Sequence, residues 1–352
     1  MNKKFSIKQF QLRFPDNDAC LEEIKQLRFG DSLECPKCKK ENKFYKVSGR
    51  AAYACAYCGH HIYPLKDSIF DHSSTELKSW FYAIYLMAQT RAGISAKQLE
   101  RELGVTYKTA WRMFHQIRQL MAIDGSLLTG EVEVDETYLQ PRPYMKKKLN
   151  PTHRLGSNYA DNSKIVFGMV ERGGRAKLKH VKSNGARVLQ PEIGQNVQKN
   201  TTIYSDEWSS YNKLEKMGYP HFTTNHRRQE FVKGNNHTQN VENLWSNMKR
   251  GIKGVYRHVD AKYLQSYIDE YAFRYSYRKT APKYMFDLIL SIVARPGSSY
   301  FFLGLVLFCG LTARLRILSK SVSAPLRPPD LMKALSSVSL GVGLLSLGIV
   351  KV

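Results

Sequence analysis

Acidic residues are scarce in this chain: 30 Asp plus Glu stand against 54 Lys plus Arg in 352 residues, for a net charge of +24 at pH 7 and a pI near 9.7. That imbalance argues against cationic partners and points to polyanions, nucleic acid first. Cysteine is also short. Six in all are too few for a disulfide-stapled scaffold of this length, and four of them form two close pairs, which indicates metal and a reducing compartment. The opening MNKKFSIKQFQLRFPDND has no apolar stretch of signal-peptide length, so the cytoplasm is the expected location. What is plentiful is ordinary core material, 43% hydrophobic residues, enough for two or three folded units rather than one.

The composition changes along the chain in steps. Residues 1–34 read as an N-terminal helical segment, with Asp16 to Asp18 offering an N-cap for a helix through Leu21, Ile24 and Leu27. Residues 35–65 hold the paired cysteines among Lys, Tyr and Gly, the composition of a small zinc ribbon. Residues 73–122 are helical throughout, with Leu77, Trp80, Phe81, Ile84, Tyr85 and Met87 recurring at helical spacing. From Glu131 the text turns to short β-branched runs, Lys164 to Val170 and Thr201 to Tyr204, with helices predicted over about 185–197 and 241–253. Strands followed by helices in this order make 130–293 a mixed α/β unit. Residues 297–352 contain a single acid, Asp330, and two uncharged stretches of 17 residues, Gly297 to Ala313 and Ala334 to Val350. Both fall short of the ~20 residues that cross a bilayer, and the segment reads as an apolar tail of unknown role.

Cys35-Pro-Lys-Cys38 and Cys55-Ala-Tyr-Cys58 enclose 16 residues, the spacing of a four-thiolate zinc site made of two knuckles joined by a hairpin. His60 and His61 are surplus to such a site, and Cys20 and Cys309 lack partners. Downstream, GISAKQLERELGVTYKTAWRMFHQIRQLM has the syntax of helix, Gly-containing turn, helix, with Ser95 and Thr106 as caps. As a helix-turn-helix it puts Tyr107, Lys108, Thr109 and Arg112 where DNA contacts are made; a helical hairpin that only packs is the alternative.

In Glu131-Val-Glu-Val-Asp135-Glu136, the period of two places Glu131, Glu133 and Asp135 on one face of a strand and Val132, Val134 and Glu136 on the other. Asp206 ends the next strand-like run, and Glu242 sits in the first turn of the helix VENLWSNMKRGIKG. Two strand-end carboxylates and one helical carboxylate can converge on a pair of divalent ions for phosphoryl transfer. Lys249, seven positions beyond Glu242 and about 10 Å along the same helical face, can hold a phosphate beside them. Trp245 on that face either stacks on a base or packs in the core. Arg227, Arg228, His237 and Lys146 to Lys148 are further basic candidates for DNA contact.

At these residues the sequence resembles the DDE-type transposases of bacterial insertion sequences, in the group with an N-terminal zinc ribbon. The resemblance covers about residues 15–290 through CPKC and CAYC, the helix-turn-helix, VEVDETYL, IYSDEWSSY, HTQNVENLWSNMKRGIKGVYRHV and YIDEYAFRY. It implies a ribonuclease-H-like catalytic domain at the end of a multidomain α/β chain, with structural Zn²⁺ in the ribbon. Asp135, Asp206 and Glu242 would bind two Mg²⁺ ions, with Mn²⁺ possible; because members vary at the third acidic position, Asn240 is the alternative to Glu242. The implied activity is binding of the element's terminal repeats, metal-dependent end cleavage and strand transfer. The competing expectation is a catalytically inactive DNA-binding regulator. Double-stranded DNA is the implied partner, with a homo-oligomer in the DNA complex and a bacterial, nucleoid-associated location; the short uncharged stretches of the tail argue against a membrane partner.

Overall fold

The computed structural model describes residues 5–30, 33–122, 125–139, 164–224 and 237–294. The apolar tail, Arg227, Arg228 and Lys146 to Lys148 lie outside them. The first two helices start at polar caps. Ser6 accepts from the Gln9 amide while the Gln9 side chain returns to the Ser6 N–H, opening α1 (Ile7–Arg13), and Asp16 caps α2 (Asn17–Phe29). The hairpin β1 (Leu33–Glu34) and β2 (Glu41–Asn42) then leads into an antiparallel sheet of β3 (Phe44–Lys46), β4 (Tyr53–Cys55) and β5 (His61–Ile62). Helices α3 (Leu77–Gln89), α4 (Ala96–Leu103) and α5 (Tyr107–Met121) follow. Gly104, left-handed at φ 65°, stops α4, and Thr106 accepts from the Thr109 amide to start α5, as the caps in the sequence predict.

The second half is built on one five-stranded sheet. β6 (Glu131–Leu139), β7 (Lys164–Glu171) and β8 (Ala176–Val181) form an antiparallel meander, and β9 (Thr202–Asp206) and β10 (His221–Thr224) add in parallel on the other side of β6. The resulting order, third, second, first, fourth, fifth along the sheet, is that of a ribonuclease-H-like fold. α6 (Ala186–Asn196) covers one face through Leu189 and Ile193 against Val132, Val134 and Phe167. α7 (Gln239–Gly251) and α8 (Ala261–Ser276) cover the other through Val241, Leu244, Trp245 and Ile268 against Val166, Val170 and Leu178.

The last helix, α9 (Pro282–Ala294), belongs elsewhere. The sequence reading attaches it to the α/β unit, but Phe286 lies among Phe5, Phe10, Phe14 and Phe81 in the helical core. Periodicity reveals that a helix has an apolar face, not which distant face it covers.

Helical unit and sheet are joined by a buried ion cluster. Glu270 on α8 accepts from Arg118 Nε of α5 at 2.7 Å and from Arg274 Nη2 at 2.6 Å, and Tyr256 donates to it at 2.9 Å. Burial alone would raise the Glu270 carboxyl, but the Arg274 and Arg118 guanidiniums outweigh it and hold the group down at about 2. Arg274 also donates to the carbonyl of Thr90, and the Tyr271 hydroxyl to that of Ala92, so the loop before α4 is tied to the same cluster. Removing one member of a buried ion set strands the others. Glu270→Ala is therefore expected to lower stability by about 3–5 kcal/mol in urea denaturation; a loss within the range of a surface substitution would contradict this account.

Candidate functional site

Two clusters of metal-ligating side chains were expected, and they are built differently. In the ribbon, each cysteine pair makes the same turn twice. The amides of Lys39 and Gly59 donate to the carbonyls of Cys35 and Cys55, and the amides of Cys35 and Cys55 donate to Lys40 and His60. Lys39 and Gly59 both take positive φ, 56° and 71°. The two knuckles bring Cys35 and Cys58 sulfurs to 3.6 Å and Cys38 and Cys55 to 4.0 Å, with all four ligand atoms within 4.8 Å of one another. A tetrahedral zinc with bonds of about 2.3 Å requires sulfurs roughly 3.8 Å apart, so the four thiols fit that ion. Burial opposes ionisation of Cys35, but the backbone N–H groups of Cys38 and Lys37 and the neighbouring thiols outweigh it and bring its thiol down to about 6. Such a group is a thiolate ligand at neutral pH.

The second cluster lies where two parallel strands part. β6 and β9 are paired only over Glu131–Glu133 and Thr202–Tyr204; beyond that β9 runs on to end at Asp206 beside β10, and β6 continues to Leu139 beside β7, so Asp135 is mid-strand and not, as the sequence reading has it, at a strand end. Asp135, Glu136 and Asp206 lie just past the parting. Asp206 Oδ1 accepts from the Trp208 amide at 3.1 Å, and Glu136 accepts from the Tyr211 hydroxyl. Asp135 is pushed up to about 7, mainly by burial and further by the charges of Glu136 and Asp206, against which the Trp245 indole N–H at 2.8 Å gives only partial relief. Glu136 is raised as well, by burial first and then by Asp206. Its share in this field was hidden by strand parity, which assigns it to the opposite face.

Helix α7 crosses over these strands. Trp245 is buried against β7 at Gly168, the residue paired with Asp135, where a Cβ would come within 2.6 Å of the indole. Trp245 thus packs, and its N–H fixes Asp135. Glu242 is exposed in the first turn with Oε1 accepting from Thr238 Oγ1 at 3.0 Å, and Lys249 is exposed in the last turn. Among the described residues the cysteines form the only group of three or more His, Cys, Asp or Glu poised for one metal ion, so Asp135, Asp206 and Glu242 are not drawn together in the same way.

Glu133, one position pair before Asp135 on the same face, was not singled out by the sequence. It is fully buried and its oxygens accept from the backbone N–H of Asn240 (2.8 Å) and Val241 (3.2 Å), the side-chain amide of Asn240 (2.8 Å) and Arg172 Nε (2.9 Å), with His237 Nδ1 at 3.2 Å. Asn240, the alternative third ligand, is thereby committed to Glu133. Of the other candidates, Tyr107, Lys108 and Arg112 are exposed on α5, Thr109 is half-buried, and Lys108 and Tyr107 line a cleft facing residues 254–260.

Comparison with known proteins finds transposase-related sequences. Residues 127–276 match the ISXO2-like transposase domain family and residues 15–61 the transposase zinc-ribbon domain family. The chain is 26% identical over 259 residues to an uncharacterised protein in transposable element ISH50 of Halobacterium salinarum, a match covering 69% of this chain and 87% of that protein. It is 25% identical over 88 residues to a transposase-like protein of Haemophilus influenzae, covering 25% of this chain and 70% of that one. Solved structures with partial likeness include the Mos1 strand transfer complex (12% identity, 60% of this chain and 78% of that chain, TM-score 0.26) and a pre-cleavage Mos1 transpososome (13%, 57% and 75%, TM-score 0.25).

Two measurements check the clusters. Elemental analysis should find one zinc per chain, and Cys38→Ser should open residues 35–65 to protease, because zinc supplies folding energy that so small a segment lacks. A zinc-free chain with a protease-resistant ribbon would refute this. For Asp135, the folded state holds a proton that the unfolded state has lost between pH of about 4 and 7, so stability should fall as pH rises through that window. Asp135→Asn, which keeps an acceptor for Trp245, should flatten the slope and stabilise the chain at pH 8 in divalent-free buffer by roughly 2 kcal/mol. A variant no more stable than the parent in thermal melts at pH 8 would contradict the crowding of charge at this position.

Proposed function

Because the chain belongs to the insertion-sequence transposases in which a zinc ribbon precedes an ISXO2-like DDE domain, we propose that it binds the terminal repeats of its element, hydrolyses the phosphodiester at each end and joins the freed 3′ hydroxyl to target DNA. The observation that carries this reading is that Asp135, Glu136 and Asp206 share one region at the parting of β6 and β9, where burial first and then the charges of Glu136 and Asp206 raise Asp135 to about 7. Carboxylate oxygens suit hard divalent cations. Asp135, Asp206 and Glu242 would hold two Mg²⁺ ions, or Mn²⁺, whose chemistry is to activate an attacking oxygen and stabilise the leaving one in an in-line displacement.

The chain's own contributions follow from its geometry. Trp245 holds the Asp135 carboxylate in one orientation through its indole N–H. Lys249, two turns beyond Glu242 on α7, offers a mobile cation to a non-bridging phosphate oxygen. Tyr107, Lys108, Thr109 and Arg112 on α5 supply duplex contacts, together with Arg227 and Arg228, and a net charge of +24 draws the polyanion in. The DNA complex would be a homo-oligomer, working in the bacterial cytoplasm at the nucleoid. The second reading, an inactive DNA-binding regulator, draws on one observation: the Glu242 carboxylate is engaged by Thr238.

End cleavage and strand transfer on labelled element ends decide between them. Asp135→Asn and Asp206→Asn are expected to lower cleavage by roughly 10²-fold or more while end binding persists. Glu242→Gln should match them, and Asn240→Ala should lose less. Full cleavage in either aspartate variant removes that residue from the site; binding without cleavage by the parent chain in Mg²⁺ favours the regulator.

A further inference from the structure

Between the helical unit and the end of α7 lies a cleft of about 930 Å³. One wall is the start of α4 and the first half of α5, with Lys97, Tyr107, Lys108 and Trp111; the other is residues 254–260 and the first turn of α8, with Arg257 and Tyr263. This second wall is irregular. α7 passes into a π-helical turn over Ile252–Tyr256, and Arg257 follows at φ 64°, a conformation a non-glycine residue adopts only where its surroundings impose it. Here they do. Tyr256 is held by Glu270 and lies so close to Gly93 that a Cβ there would overlap its hydroxyl. π-helical turns and strained residues recur at functional sites, yet nothing in the phosphoryl-transfer site explains this one.

The chemistry of the cleft is specific. Trp111 stacks on His115 with ring centroids 4.8 Å apart and planes at 14°, and Tyr263 stands edge-on to both at 5.0 and 5.3 Å. Around this aromatic group are the exposed cations Lys97, Lys108 and Arg257. The single acid of the lining, Asp260, is paired with His258 at 2.8 Å, and the ion pair of Lys97 with Glu100 is of the exposed kind that contributes little. Cations flanking π faces are what a nucleic-acid strand requires when its bases are unstacked: phosphates meet the charges and bases meet the rings, without regard to sequence. The volume is that of a small-ligand pocket, enough for a few nucleotides, and Tyr107 and Lys108 in its lining join it to the duplex contacts of α5.

We propose that this cleft binds an unpaired DNA strand, a short single-stranded stretch leading from the duplex held by α5 toward the strand ends of the sheet. The source of that strand rests on the transposase reading above; its binding does not require cleavage. The distinction matters chemically, because hydrolysis at an element end acts on one strand at a time and the strand has to be kept from re-pairing.

Fluorescence anisotropy of the zinc-loaded full chain without added Mg²⁺ tests this, using a labelled oligothymidylate of about ten nucleotides and, separately, a labelled element-end duplex. Arg257→Ala, at an exposed position, and Trp111→Leu should each weaken oligothymidylate binding about tenfold or more and leave duplex binding unchanged. In the parent chain, an iodouracil-substituted oligonucleotide should photocrosslink to Trp111 or Tyr263, a readout independent of any variant's folding. Unchanged oligothymidylate affinity in Arg257→Ala, or crosslinks confined to other segments, overturns the proposal. Equal loss of duplex and single-strand binding assigns the cleft to duplex DNA and overturns it too. Failure of the parent chain to cleave, with these binding results intact, would count against the transposase reading and not against the cleft.

Discussion

The position of everything that α7 presents to the strand ends depends on the buried carboxylate of Glu133. A charge with no access to water is tolerable only if hydrogen bonds replace its hydration. Glu133 obtains them from the first turn of α7, through the amides of Asn240 and Val241, and from Arg172. These are amides that the start of a helix leaves without intrahelical partners, at the positive end of its dipole, so each side satisfies the other's need. The contact pins the start of α7 to the middle of β6, and the rise per residue then sets where Trp245 and Lys249 fall. Trp245 reaches Asp135 because the helix begins at Glu133, and it can lie flat there because Gly168 presents no side chain.

This constraint was out of reach of the sequence alone, and the reason is instructive. Strand parity correctly groups Glu131, Glu133 and Asp135 on one face, but it cannot distinguish the three. Glu131 accepts from the Tyr204 hydroxyl at 2.8 Å, Glu133 anchors α7, and Asp135 faces Asp206. Their roles are decided by partners more than 70 positions away. What was legible was local: the cysteine spacing, the caps at Ser95 and Thr106, the β-branched runs and the apolar stripe of α7. What was not legible was pairing at a distance, which includes the burial of Phe286 in the helical core, the need for glycine at position 168 and the hydrogen bonding of Asn240 to Glu133.

The ion cluster of Arg118, Glu270 and Arg274 has a similar place where the helical unit meets the sheet. Burying three charges costs more than packing three apolar side chains of the same size, and such sets are retained where they fix geometry. Here the geometry is the angle between α5 and α8. Tyr256 ties the π-helical turn to the same glutamate, so the two walls of the aromatic cleft are referred to one point. A cleft that holds an unpaired strand between two walls needs walls that do not drift.

The two ligand clusters differ in what holds them before any metal arrives. In the ribbon, backbone amides aimed at sulfur and two left-handed turns bring four cysteine sulfurs to within 4.8 Å of one another. Carboxylates cannot converge as easily. Burial first, and then the charges of neighbouring acids, lower the tendency of Asp135 and Glu136 to ionise, so a fold that closed carboxylates tightly together would protonate them instead and lose their value as ligands. β6 and β9 part just before Asp135 and Asp206, and Glu242 sits on a separate helix, so these acids are not closed into one tight cluster. Zinc therefore finds its cysteines already gathered in the ribbon, whereas a catalytic cation would have to complete the carboxylate site as it binds.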